Sequence, residues 1–309
     1  MSVRPILCVG ALTYDVIMHV PALPSGTGKF MADGMSISAS GMAAIAATTV
    51  ARLGHPVAFW ANAGRDTPGD FLVAEMAREG IATDFIRRVP DVPSGTAVIV
   101  VDGRGERVVV PYYHPVLMGP AEVMPPIADG AFGAVMTDVR WPAAAGPALD
   151  AARACGIAAI LDLDVGPPAV LADLLPRASH VVASASGARI VTGEGDPAVA
   201  ATRLVERGSA DLVVVTDGER GVWWGGPSAP GICHHPAFAV EAVDTNAAGD
   251  VYHGAFAVAL AQRRPIEAVL TFAAAAASLK CLRAGGRTAV PTRSEVERFL
   301  AERPAATPD

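Results

Sequence analysis

The chain has 309 residues, of which 51% are hydrophobic and 18% charged, and its formal net charge is −7. That balance excludes a disordered chain, which would be poor in apolar residues and rich in charge. It allows one large α/β domain with a small appendage, or two modest domains. An acidic chain with no Lys/Arg-rich run lacks the basic face of a nucleic-acid binder, so no nucleic acid is expected as a partner.

Apolar runs of strand length recur at 6–11, 57–61, 134–137, 158–161, 180–183 and 212–216. Helical patterns lie among them at 42–53, 68–79, 143–154, 169–174 and 198–206, and three more close the chain at 248–263, 266–282 and 293–300. Such alternation predicts an α/β fold: a doubly wound, mostly parallel sheet with helices on both faces. Two stretches break the pattern. Segment 16–37 is too long for a strand-to-helix turn and carries Pro21, Pro24, Gly26, Gly28 and Gly34, so an irregular extended segment is expected. Segment 95–113 reads as a hairpin, with strands 96–101 and 106–112 around Asp102-Gly103-Arg104-Gly105. Together they suggest a small β lid over a ligand cleft. The expected division is 1–13, 38–94 and 116–309 for the α/β domain, and 14–37 and 95–115 for the lid.

The longest apolar region, 254–279, is cut by Gln262, Arg263, Arg264 and Pro265, so no membrane span is expected. The start of the chain enters a strand directly and lacks the features of a signal peptide. Cys8, Cys155, Cys233 and Cys281 are scattered with no CxxC pair, which argues against a zinc cluster and fits a reduced cytoplasm. Of 24 basic residues only Lys29 and Lys280 are lysines. Codon bias accounts for such a count, and so does a local need for a compact ammonium.

The strongest motif is Asp244-Thr245-Asn246-Ala247-Ala248-Gly249-Asp250 ahead of a helical run. Small residues before a helix let backbone N–H groups converge on an anion, aided by the helix dipole. A carboxylate at Asp250 suits that setting if it takes a proton from a substrate hydroxyl while the N–H groups hold a phosphoryl group. The same residues also fit an N-cap Asp after a glycine turn. Other candidates fall away. Gly28-Lys29 is followed by Phe30 rather than Ser or Thr, so it is not a phosphate-binding P-loop. No GxGxxG follows the first strand. His234-His235 lacks a third ligand at metal spacing, and Trp223-Trp224 reads as strand packing.

The 244–250 motif resembles the DTxGAGD or DTxAAGD signature of the PfkB, ribokinase-like carbohydrate kinases, and the resemblance runs the length of the chain. Val9-Gly10 with Asp15 looks like the family's first strand and its sugar-binding Asp. Ser40-Gly41-Met42-Ala43-Ala44 with Ala51-Arg52-Leu53-Gly54 is similar to the family's GG…ARLG segment. Gly64-Arg65-Asp66 with Gly69 is similar to its GxD…G turn, and Thr216-Asp217-Gly218 with Gly221 to the segment against the nucleotide. The resemblance implies a ribokinase-like fold and a sugar kinase that uses ATP and Mg²⁺. It implies Asp250 as catalytic base, with Ala247, Ala248 and Gly249 as anion hole. It implies Asp15 and Gly41 as sugar ligands, and Thr216, Asp217, Gly218 and Gly221 as nucleotide ligands. Lys280 and Cys281 fall near the place of the family's adenine pocket. The family's NxxE is absent, with Ser184 and Gly187 in the matching stretch, which leaves Asp162 or Asp164 for Mg²⁺.

Within the family, LPSGTGKF around Lys29, TDVRW around Arg140, DVYHGAFAVALA from Asp250 and SLKCLRAGGR around Lys280 look like sulfofructose kinases. That resemblance implies Lys29 and Arg140 as a clamp on an anionic ketose such as 6-deoxy-6-sulfofructose, phosphorylated at O1. The group's third sulfonate contact, an Asn, aligns with Pro111. A neutral sugar or nucleoside is the alternative acceptor, and a catalytically weak sugar-binding regulator is a third reading. Lids pair into homodimers in related enzymes, and the apolar hairpin strand 96–101 permits the same here.

Overall fold

The structure is a computed structural model that describes residues 3–303. The chain begins β1 (Ile6–Val9), β2 (Thr13–Val20), β3 (Gly34–Ser40), α1 (Met42–Arg52), β4 (Val57–Gly64), α2 (Thr67–Arg78) and β5 (Ile86–Val89). It continues β6 (Thr96–Asp102), β7 (Arg107–Tyr112), β8 (Ala134–Thr137), α3 (Pro142–Ala154), β9 (Ala158–Leu163), α4 (Pro168–Leu174), β10 (His180–Ser184) and α5 (Ala185–Thr192). It ends α6 (Pro197–Glu206), β11 (Leu212–Thr216), β12 (Val222–Gly225), β13 (Cys233–His235), α7 (Ala248–Ala261), α8 (Ile266–Cys281) and α9 (Arg293–Glu302).

Nine strands form one sheet in the order β13-β12-β11-β10-β9-β8-β1-β4-β5. The run from β11 to β5 is parallel, and β12 and β13 add antiparallel at one edge. Strands covered on both faces need unbroken apolar sequence, and β1, β4 and β8 are buried at every position. Successive side chains divide between two cores. Ile6 and Cys8 join the core under α1, α7 and α8, while Leu7 and Val9 join the core under α3, α4 and α6. The doubly wound parallel sheet follows the sequence pattern.

A second sheet has four strands in the order β3-β2-β6-β7. Here the structure differs from the expectation, because segment 16–37 is not irregular throughout. Its ends are strands paired from Thr13↔Ser40 to His19↔Gly34, and the Pro/Gly-rich stretch occupies only the connection. In β3 apolar Met35 and Ile37 alternate with Ser36 and Ser38, and the apolar pair is on the exposed face, whereas Asp15, Ala97 and Ile99 of the opposite face are buried. Other differences are at boundaries. The helix expected over 248–263 stops at Ala261, and Arg263 just beyond it adopts a left-handed φ of 55°. β5, β13 and α5, all short, were not marked by the sequence pattern. Among the described residues no helix is long and apolar enough to cross a membrane.

Candidate active site

Parallel strands present their C-terminal ends along one edge, and the loops leaving that edge form a cleft. Asp138, just past β8, frames it. The carboxylate is wholly buried. Oδ2 accepts the N–H of Ala11 (3.0 Å) and of Ala43 (3.2 Å), and Oδ1 accepts the N–H of Arg140 (2.8 Å). Burial raises this carboxyl, and the three N–H groups and the Arg140 charge work against the rise. One side chain thus fastens the end of β1, the start of α1 and the exit of β8. The approach leaves no room at two glycines. A Cβ at Gly10 would lie 2.3 Å from the Asp138 carboxyl, and one at Gly41, where φ is +112°, would lie 2.3 Å from the Ala11 carbonyl oxygen.

Asp15 projects from β2 beside this frame. Its Oδ1 is buried with no hydrogen-bond partner. Burial pushes its carboxyl above the usual range, and the Thr13 and Ser40 hydroxyls oppose the shift. Tyr113 closes the group. Its phenol is pushed up to about 12, first by burial and then by Asp138 and Asp15, with Arg140 opposing. Asp15, Gly41, Tyr113 and Arg140 therefore share one end of the cleft. Lys29 does not join them: it lies exposed in the connection between β2 and β3.

The other end belongs to α7. Ala247 precedes the helix in the left-handed region (φ 66°), and no side chain caps it. Uncapped first-turn N–H groups and the positive end of the dipole suit an anion. The N–H of Ala248 turns back to the Thr245 carbonyl (3.2 Å). Asp250 stands in this first turn. Burial raises its carboxyl well above the ordinary range, Asp162 adds to the rise, and His253 opposes it. Asp162 is 1% exposed, and neither of its oxygens has a hydrogen-bond partner. It too is raised, by burial and then by Asp164 and Asp138. Two carboxylates so placed disfavour each other's ionisation. His253 faces Asp162, with Nε2 3.4 Å from Asp162 Oδ1 and 3.1 Å from the Val182 carbonyl, and Nδ1 2.6 Å from the Gly249 carbonyl. Burial lowers its basicity against the pull of Asp250.

Asp164 lies nearby, and its Oδ1 accepts from Ser184 Oγ (2.7 Å). Ser184 in turn accepts the N–H of Gly187 as the N-cap of α5. Asp162 and Asp164 offer the hard, oxygen-only donors that Mg²⁺ takes, and an unpartnered buried carboxylate fits a cation that keeps most ligands as water or phosphate oxygens. Among the described residues no group of three or more His, Cys, Asp or Glu side chains forms a metal cage.

Beyond the anion loop opens a cavity of about 810 Å³, lined by Thr216, Gly218, Gly221, Gly249, Tyr252 and Cys281 among others. Asp217 sits at its margin, paired with Arg220. Lys280 is not on the lining. It has no exposed surface, and its ammonium donates to the Asp244 carbonyl (2.7 Å) and carboxylate (3.0 Å) beneath the loop. Two contributors had little sequence signal. Asp138 was a lone carboxylate closing an apolar strand, and His253 a residue three positions after Asp250, which places both on one helix face.

The pfkB family carbohydrate kinase model matches residues 4–293. Mouse ribokinase is 30% identical over 268 residues, covering 83% of this chain and 81% of the mouse protein. A structure from Agrobacterium tumefaciens, provisionally assigned as a ribokinase, is 36% identical with a TM-score of 0.93, over 97% of this chain and 98% of that one. Fructokinase with bound ATP from Xylella fastidiosa is 26% identical with a TM-score of 0.81, over 98% and 99%.

Proposed function

The chain belongs to the pfkB family of carbohydrate kinases, phosphotransferases with an alcohol group as acceptor, and from that premise we propose that it uses ATP to phosphorylate O1 of an anionic ketose such as 6-deoxy-6-sulfofructose. The observation that carries the substrate class is Arg140. Its side chain shares one end of the cleft with Asp15 and Tyr113 and makes no ion pair among the described residues. A guanidinium in reach of the sugar site, near Asp138 and Asp162 but in no salt bridge with either, fits a sulfonate or phosphate through a forked contact. Lys29, on the exposed connection, would add its charge when the small sheet closes over the sugar.

In this reading Asp15 and the backbone at Gly41 orient the sugar hydroxyls. Asp250 takes the proton of the attacking hydroxyl. Its raised carboxyl leaves it a stronger base than an exposed aspartate once ionised. The N–H groups at Ala247 and Gly249 and the α7 dipole hold the phosphoryl in transfer. Thr216, Asp217, Gly218, Gly221 and Cys281 border the nucleotide. Mg²⁺, when bound, would be held by Asp162 and Asp164 and would neutralise phosphate charge. The rest is positioning and exclusion of water, the competing acceptor.

Val16, Ile37, Val98 and Val110 lie in register across all four strands of the small sheet and form an apolar row on the face opposite Asp15. Val110 is 62% exposed. A bare apolar row of this kind suits a second copy of the same sheet.

The test is ADP release with Mg-ATP and 6-deoxy-6-sulfofructose, fructose 6-phosphate, fructose, ribose or adenosine, for the wild type and Lys29→Ala. Preference for an anionic ketose, with its KM raised at least tenfold in Lys29→Ala, supports the clamp. Turnover of fructose, ribose or adenosine alone overturns it in favour of a neutral acceptor, the class that ribokinase and fructokinase relatives suggest.

A further inference from the structure

Lys280 occupies the last turn of α8 and is fully buried in a chain with only two lysines. Its ammonium has two oxygen partners on one residue, the Asp244 carbonyl at 2.7 Å and carboxylate at 3.0 Å. Asp244 opens the loop that ends at Ala247 and the start of α7. Its carboxylate also accepts the N–H of Asn246 (2.8 Å) and of Gly285 (3.0 Å). The N–H groups of Val243 and Asp244 both donate to the Cys281 carbonyl, at 2.8 and 3.1 Å. Burial works to raise the Asp244 carboxyl, but these N–H groups and Lys280 hold it below the ordinary range, so it is a carboxylate. The anion loop is therefore anchored at one charged residue, and the matching cation comes from α8.

We propose that Lys280 is a positioning residue, a tethered monovalent cation that sets the anion loop, so that this chain needs no free alkali or ammonium ion for that task. The proposal rests on the kinase reading above. Without the ammonium, a carbonyl and a carboxylate would face each other six residues before Asp250. The carboxylate would add negative charge beside the N–H groups meant for a phosphoryl. Breaking one half of a buried pair is costly because the other half stays behind. A lysine suits the place because its ammonium is a compact point charge, whereas arginine brings a planar fork. Two oxygens at 2.7 to 3.0 Å would equally coordinate a small free cation, and this gives the experiment its handle.

The experiment compares wild type, Lys280→Ala and Lys280→Met at constant ionic strength in choline, ammonium or methylammonium chloride. Sugar turnover and thermal melting are both read. The wild type should be indifferent to the salt. Lys280→Ala should lose about 100-fold in kcat, the scale of a misplaced oxyanion donor, with the sugar KM little changed. Ammonium, but not choline, should restore at least tenfold of that rate and raise its melting temperature. Lys280→Met fills the space with an apolar chain and should be slow in every salt. Wild-type kcat in either variant overturns the proposal. So does a Lys280→Ala protein blind to ammonium in both rate and melting, or a wild type that itself requires ammonium. If Lys280→Ala folds only in ammonium, that supports the tethered cation. If it folds in none of the three salts, Lys280→Met decides: slow turnover with an unchanged sugar KM supports, and wild-type kcat overturns. If the wild type phosphorylates no sugar at all, the kinase reading fails instead, and the ammonium shift in melting still decides the role of Lys280.

Discussion

Two aspartates stand on neighbouring strands at the same sheet edge in opposite surroundings. Asp138, past the end of β8, is wholly buried, and three backbone N–H groups point at it. Asp162, in β9, is as deeply buried, and neither oxygen has a partner. Burial raises both carboxyls. At Asp138 the N–H groups offset it, while at Asp162 the nearby Asp164 and Asp138 add to it and Arg140 alone opposes. Burial by itself therefore does not tell what a buried charge is for. A saturated carboxylate belongs to the frame. An unsaturated one holds an electrostatic cost in place that a cation, a proton or a substrate can relieve.

Asp250 shares the raised carboxyl of Asp162, which contributes to it, and changing it is the most severe test of that side. Asp250→Asn should lower kcat about a thousandfold, within the range for losing a general base, while calorimetry shows Mg-ATP still bound. Wild-type turnover would remove Asp250 as the base.

Asp138→Ala tests the other side. It strands the N–H groups of Ala11, Ala43 and Arg140 in a dry site, and the loss should reach about 3 kcal/mol in urea unfolding. Asp138→Asn keeps one acceptor oxygen and should fall between. A loss under about 1 kcal/mol in the alanine variant would mean that the frame does not depend on this staple.

Asp162→Asn should go the opposite way in stability. Its carboxyl is raised in the folded state, so the protonated form is the one the fold favours. Its stabilising contribution is present below the unfolded pKa and is lost as pH rises through the folded pKa. At pH 8 the wild type carries that cost and the amide does not, so the variant should melt a few degrees higher. The gain should vanish toward pH 3. Removing this charge also removes one of the two side chains proposed to hold Mg²⁺, so kcat should fall, and it removes one cause of the raised Asp250 carboxyl, so the acid limb of the remaining kcat/KM should move to lower pH. An unmoved acid limb would show that the two carboxylates do not act on each other.

The contrast also explains what could be read in advance. The large sheet is legible because strands covered on both faces must be apolar throughout. β2 and β3 are not, because Asp15, His19, Ser36 and Ser38 interrupt them and the Pro/Gly-rich connection dominates the impression. Within the cleft, the 244–250 loop is legible because its residues are contiguous. Asp138 is not, since its backbone donors lie 127 and 95 residues away at Ala11 and Ala43. Lys280 reads as a neighbour of the nucleotide because it adjoins Cys281, which lines the cavity. One residue along a helix is a turn of about 100°, and that rotation sends Lys280 beneath the loop instead.

The smallest effect concerns the small sheet, where the same logic applies to apolar surface. Its Asp15 face looks into the cleft, whereas Ile37, Val98 and Val110 of the opposite row are exposed and Val16 is half-buried. If a second copy covers that row, the wild type should sediment as a dimer at micromolar concentration, and Val98→Lys should sediment as a monomer. Val98 is already exposed in the single chain, so the substitution should change the monomer's own stability by only about 0.5 kcal/mol. A wild-type monomer would overturn the dimer and leave the row facing water. A dimer that survives Val98→Lys would place the contact elsewhere. If the variant is a monomer with a raised sugar KM, the two faces of the sheet are coupled, because pairing on one face would then hold the other over its substrate.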